Sequence, residues 1–202
     1  LRSDAFVISA LRSPMFSEEQ LSFYKKAIYS SPVGRHQIRD FFANSFLGSL
    51  RKQSVNRGVL ENFDFLEKEL RNDIKENPIN YRSYLKLGQL LNVYPGDAKM
   101  RKQKLAEAAK ILEKAIEISP NNQQGYWHLA QTRIEQGKLN QALALAETAV
   151  KLEPELERSH LILIQIAQWT GKKELAQKKA EEALKVNPAW KKDIDKIFKK
   201  PD

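Results

Sequence analysis

The stretch YWHLAQTRIEQGKLNQALALAETAVKLEP, residues 126–154, decides the fold. Its apolar and small residues recur at helical spacing on either side of Gly137, and Pro154 follows where a second helix cannot continue. The stretch therefore reads helix, short turn, helix. It also repeats: Pro120, Pro154 and Pro188 stand 34 residues apart, and Gly137 and Gly171 share that spacing. Ala108, Ala142 and Ala176 form one ladder in the same register, Ala115, Ala149 and Ala183 another, and Ala146 with Ala180 a third in which Leu112 takes the preceding place. A small side chain at each lets the two helices of a hairpin approach closely, so a larger residue at Ala149 would overpack the joint.

These residues resemble the tetratricopeptide repeat, whose pattern runs aromatic, Leu-Gly, Ala, Ala, Pro over one period. Tyr84, Leu87, Gly88, Ala108, Leu112, Ala115 and Pro120 fit it, as do Tyr126, Leu129, Ala130, Ala142, Ala146, Ala149 and Pro154. The third unit departs at its start, with His160 at the aromatic position and Ile164 at the small one, which predicts a looser first helix pair. The resemblance implies an all-α, right-handed superhelical solenoid of helix hairpins closed by a C-terminal capping helix.

Upstream, Pro32 to Pro78 spans 46 residues and Pro78 to Pro120 spans 42. The excess is expected in turns around Gln53 to Gly58 and Val93 to Lys99, both rich in turn formers. The organisation expected is degenerate and lengthened hairpins over 1–79, three repeats over 80–188 with an inserted loop near 93–99, and a capping helix over 189–202. Trp190, Ile194, Ile197 and Phe198 share one arc of that last helix. At the other end, Phe6, Val7, Ile8 and Leu11 with Ala5 and Ala10 cover most of a helix circumference and demand cover. A second copy of the chain would supply it, building oligomers or head-to-tail filaments, and so would a neighbouring domain of a longer protein. The start at Leu1 rather than Met fits a piece of something longer or a processed product.

With 202 residues, 42% hydrophobic and 29% charged, collagen-like and low-complexity classes are out. The longest run of Leu, Ile and Val, Leu161 to Ile164, is far too short to cross a bilayer. There is no Cys, so no disulfide framework and no thiolate. His36, His128 and His160 lack zinc-ligand spacing, and Thr170-Gly171-Lys172-Lys173 has Ile166 where a phosphate loop requires its first glycine. The reading is of a non-enzymatic chain with no catalytic residue, cofactor or metal. The net charge of +9 is spread thinly, with a dense cluster only at Lys99, Arg101, Lys102 and Lys104. That disfavours nucleic acid and leaves a glycan or anionic surface as a partner class.

In the resembled fold, first helices of successive repeats line a concave groove that takes a protein or peptide. Carried over by register, the groove set is Arg82, Leu85, Gln89 and Asn92, then Gln124, Trp127, Gln131 and Ile134, then Arg158, Leu161, Gln165, Gln168 and Trp169. Carboxamides donate and accept hydrogen bonds, and tryptophan faces offer apolar area. The Lys and Asn clamp of some chaperone-binding members is missing, since the matching pairs are Arg39 with Ala43, Leu85 with Gln89, and Trp127 with Gln131. A second resemblance rests on Tyr24 to Ala43 and Leu66 to Asn80, which look like the repeat-bearing tail of bacterial O-antigen ligase and polymerase-like membrane proteins. It implies an extracytoplasmic location and a role beside a glycan-transferring enzyme, whose catalytic residues would lie outside this chain.

Overall fold

A computed structural model describes residues 2–50 and 54–199. Leu1, Gln53 and the last three residues of the expected capping segment lie outside the described residues. Among the described residues the chain is helical, without strands: α1 (Arg2–Arg12), α2 (Glu18–Ser30), α3 (Arg35–Leu50), α4 (Arg57–Glu76), α5 (Tyr81–Asn92), α6 (Ala98–Ile118), α7 (Gln123–Glu135), α8 (Leu139–Leu152), α9 (Glu157–Trp169), α10 (Lys173–Val186) and α11 (Lys191–Phe198), the last entered through a 3-10 turn at Pro188–Trp190. Contacts divide the chain into two compact units, Leu1–Ile111 and Leu112–Asp202, with the boundary inside α6.

The punctuation read from the sequence ends the helices. Pro32, Pro78, Pro120, Pro154 and Pro188 each stand two residues beyond the end of α2, α4, α6, α8 or α10, a position where proline's missing N–H costs nothing and its ring blocks continuation. Gly137 and Gly171 both sit at φ +73°. Each closes a C-terminal cap: Lys138 N–H donates to the Arg133 carbonyl at 2.7 Å and Lys172 N–H to that of Ala167 at 3.1 Å. Left-handed backbone of this kind favours glycine.

The extra upstream residues lengthen helices more than turns. α6 has 21 residues and α4 has 20, against 14 in both α8 and α10. The expected loop near 93–99 is therefore short, because Asp97 accepts the Met100 N–H at 2.9 Å and starts a helix that runs on through Lys99.

The first unit has an aromatic core. Tyr24 stacks on Phe42 with centroids 4.0 Å apart, and Phe46 meets Phe16 and Phe63 edge-on. Gly58 is required by packing, since a Cβ there would lie 2.2 Å from the Phe16 carbonyl oxygen. A buried ionic cluster ties α3 to α4. Arg39, 2% exposed, donates to Glu69 at 3.0 Å, Asp73 at 3.0 Å and Glu76 at 2.7 Å. Asp73 also accepts from Ser83 Oγ of α5 at 2.5 Å and lies 2.7 Å from His36 Nδ1. Burial alone would lower the Arg39 pKa, but hydrogen bonds to Glu76, Asp73 and Glu69 carry it above its ordinary value.

The second unit is built on small residues. Ala130, Ala142, Ala146, Ala149, Ala176 and Ala183 are all fully buried, as the ladders require. His160 takes the place of the tyrosine of the other units. Tyr84 and Tyr126 donate their hydroxyls to the carbonyls of Pro78 and Pro120 at 3.0 and 2.9 Å, and His160 Nε2 reaches the Pro154 carbonyl at 2.7 Å. A carbonyl can only accept, so the Nε2 proton is present. The imidazole does the phenol's work and packs beside Trp190, centroids 5.3 Å apart. Trp190 and Ile194 close this core, whereas Phe198 is 38% exposed.

Candidate partner-binding face

The first helices of the repeats are α5, α7 and α9, and the expected groove residues divide between buried and exposed. On α5, in the first unit, Arg82 is exposed and Gln89 half-buried, but Leu85 and Asn92 are buried. In place of those two, Arg82 lines a shallow cleft between α3 and α5 with His36, Asp40 and Lys86. Lys86 Nζ donates to Asn44 Oδ1 at 2.6 Å. Its pKa is pushed down by burial, with Asp40 opposing and Arg82 adding to the shift. On α3 the positions toward Lys86 and Arg82 of α5 are thus 36, 40 and 44, while Arg39 and Ala43 face the core.

In the second unit α7 and α9 carry nine of the expected residues. Gln124, Gln131, Arg158 and Gln165 are exposed, and Ile134, Leu161 and Gln168 half-buried. Trp127 is a packing residue, 7% exposed, with its indole N–H donating to Ser159 Oγ at 3.1 Å. The Arg158 guanidinium lies over the Trp127 ring at 4.9 Å, a cation–π contact that covers what burial leaves open. Trp169, at the end of α9, is different: it is 56% exposed. An exposed indole a helical turn from Gln165 is an amphipathic anchor beside a row of carboxamides. Arg158 is the one ionic side chain of these nine, and Glu135, in register with Trp169, adds an exposed acid at the end of α7.

The α1 residues expected to mediate self-association separate in the same way. Phe6 and Val7 turn inward, half-buried, and pack against Ala27, Ile28 and Ile38 of the same chain. Ile8 and Leu11 are 49% and 55% exposed. The chain covers its own N-terminal helix on one side, because α2 and α3 supply the apolar surface that a helix apolar all round requires.

Elsewhere in the second unit Glu147, Val150, Lys151, His160, Leu163, Lys179 and Glu182 line an open cleft of about 380 Å³. Among the described residues no three His, Asp or Glu side chains gather to hold a metal ion, and no helix is long and apolar enough to cross a membrane.

Residues 99–166 match a family model described as tetratricopeptide repeat. The fold is that of a tetratricopeptide repeat protein. It is similar to a solved structure of MamA protein, with TM-score 0.61 and 14% identity over 95% of this chain and 94% of that one. TTC0263, a thermophilic TPR protein of Thermus thermophilus, aligns with TM-score 0.65 and 16% identity over 97% and 98%. MamA 41-end from Desulfovibrio magneticus RS-1 aligns with TM-score 0.58 and 14% identity over 93% and 96%. No curated protein matches the chain. At these identities the likeness shows the fold alone. The tetratricopeptide architecture points to protein–protein interaction or scaffolding.

Proposed function

We propose that the chain is a non-enzymatic binding module that takes a protein or peptide on the exposed face of α7 and α9. The observation that carries this is Trp169, an exposed anchor one helical turn from Gln165 on α9. The test uses a displayed peptide library selected on the full chain. Peptides so enriched bind a Gln165→Ala/Trp169→Ala variant at least about ten-fold more weakly, the loss of one anchor side chain and its hydrogen-bonding neighbour. Equal binding by both proteins removes the assignment.

A second reading has its own support in the exposed apolar side chains of α1, where Ile8, Leu11 and the adjoining Met15 are 49%, 55% and 42% exposed. It is self-association through that helix. Light scattering compares the chain with Leu11→Asp, and a monomer in both samples sinks it. An extracytoplasmic location and a place beside a glycan-transferring membrane enzyme are carried by the O-antigen ligase-like motifs alone. Unchanged chemical shifts on titration with lipid-linked sugar would dispose of the glycan role.

A further inference from the structure

The outward face of α1 is self-complementary. Asp4, Ile8 and Arg12 follow one another at four-residue intervals and are all exposed, with Ala5 and Leu11 on either side of them. The three form a single i±4 ridge with an acid at one end, a base at the other and an apolar side chain midway. Among the described residues the side chains of Asp4 and Arg12 have no ion-pair or hydrogen-bond partner. The opposite face is occupied by the molecule's own core, through Phe6, Val7 and Ala10.

We propose that a second copy of this chain docks on the ridge, α1 against α1 in antiparallel orientation about a two-fold axis beside Ile8. This rests on the self-association reading above and names its geometry. Ridges of the i±4 kind lie inclined by about 26° to the helix axis, and two helices crossing near −50° bring such ridges parallel. Two-fold symmetry reverses one against the other. Asp4 then runs alongside Arg12 of the second copy, Arg12 alongside its Asp4, and Ile8 meets Ile8, with the Leu11 side chains of both copies on one flank and the Ala5 side chains on the other. The acid near the α1 N-terminus and the base near its C-terminus suit each helix's own dipole, and the antiparallel pairing sets the two dipoles against each other favourably. A parallel pairing would place Asp4 on Asp4 and Arg12 on Arg12. The isologous contact closes on itself, so the product is a dimer and not a filament.

A contact made by two helices of 11 residues falls at the small end of specific interfaces, so the series should reach about half a millimolar. Sedimentation velocity is run on the full chain, on Asp4→Arg, on Arg12→Asp, on an equimolar mixture of those two, and on Ile8→Asp. All substituted side chains are exposed, and circular dichroism confirms that each variant is folded. The wild type is expected to dimerise. Each charge variant alone, with like charges at both ends of the contact, loses at least ten-fold in association. The mixture recovers the dimer, because each new charge meets its opposite on the other chain. A mixture that stays monomeric, while the wild type dimerises and Ile8→Asp does not, overturns the antiparallel ridge and leaves self-association in another geometry. A wild type that is monomeric throughout, or a dimer indifferent to Ile8→Asp, overturns both. Species growing without limit overturn the closed dimer.

Discussion

Replacing Arg39 by alanine tests whether the ionic cluster between α3 and α4 behaves as a buried unit. The substitution leaves Glu69 and Asp73 at 1% and 3% exposure without the cation that faces both. Stranding buried charge in this way costs about 3–5 kcal/mol, whereas an exposed pair is worth about 0–1 kcal/mol. Two features set this case toward the larger figure. Arg39 serves three carboxylates, and Asp73 carries the link onward to Ser83 of α5. At a urea slope of about 2 kcal/mol/M the loss corresponds to a midpoint lower by about 2 M. Far-UV circular dichroism measures the whole chain. Tryptophan emission reports separately on the second unit, since Trp127, Trp169 and Trp190 all lie beyond residue 111. Hydrogen exchange then places the loss, with peptides of α3 and α4 expected to exchange faster. A companion variant, Arg39→Met with Glu69→Met, recovers part of the loss, because an apolar pair needs no counter-ion. If Arg39→Ala lowers stability by less than about 1 kcal/mol, water reaches the cluster and the reasoning fails.

The same cluster sets a pH dependence. Glu76 is held below the usual carboxylate range, first by its hydrogen bond from Arg39. Its contribution is therefore present above the unfolded glutamate pKa and lost as pH falls through the depressed folded value. Urea midpoints recorded from pH 6 downward should decline in the wild type and decline less steeply in Glu76→Gln, since Glu182 and Asp193 are also held low. Gly137→Ala forces a Cβ into left-handed backbone at φ +73° and should cost about 1–2 kcal/mol, read as a lower thermal midpoint. His160→Tyr should keep stability near wild type by restoring the phenol seen at Tyr84 and Tyr126, while His160→Phe leaves the Pro154 carbonyl without its donor and loses about 1–3 kcal/mol. Equal midpoints for the two variants would show that the 2.7 Å contact contributes nothing.

The repeat was legible because proline and glycine act through the backbone, which does not depend on distant partners. Five prolines ended five helices and two glycines made two turns. The excess residues misled because Val93 to Lys99 holds turn formers, yet Asp97 is also a helix cap, and that signal pointed to an extended α6. Register matches Arg39 and Ala43 to a clamp position of the resembled fold, whereas Glu69, Asp73 and Glu76, spaced four and three apart on α4, draw Arg39 inward. That stripe of acids beside Leu66 and Leu70 was visible in the sequence. The groove register missed for a related reason. The positions of Leu85 and Trp127 lie at the edge of burial, where Ser159 can take the indole N–H and hold the ring in the core. Only neighbours far along the chain decide such positions, as they also decided that Phe6 and Val7 turn in while Ile8 and Leu11 turn out.

The account's claim about function comes down to which tryptophan feels a partner. The three indole N–H signals of ¹⁵N-labelled protein, assigned with Trp169→Phe, can be followed while a peptide selected on the full chain is added. The Trp169 signal should shift progressively while that of Trp190, 7% exposed at the far side of His160, stays in place. Movement of Trp190 with Trp169 stationary would put the ligand elsewhere and contradict the assignment.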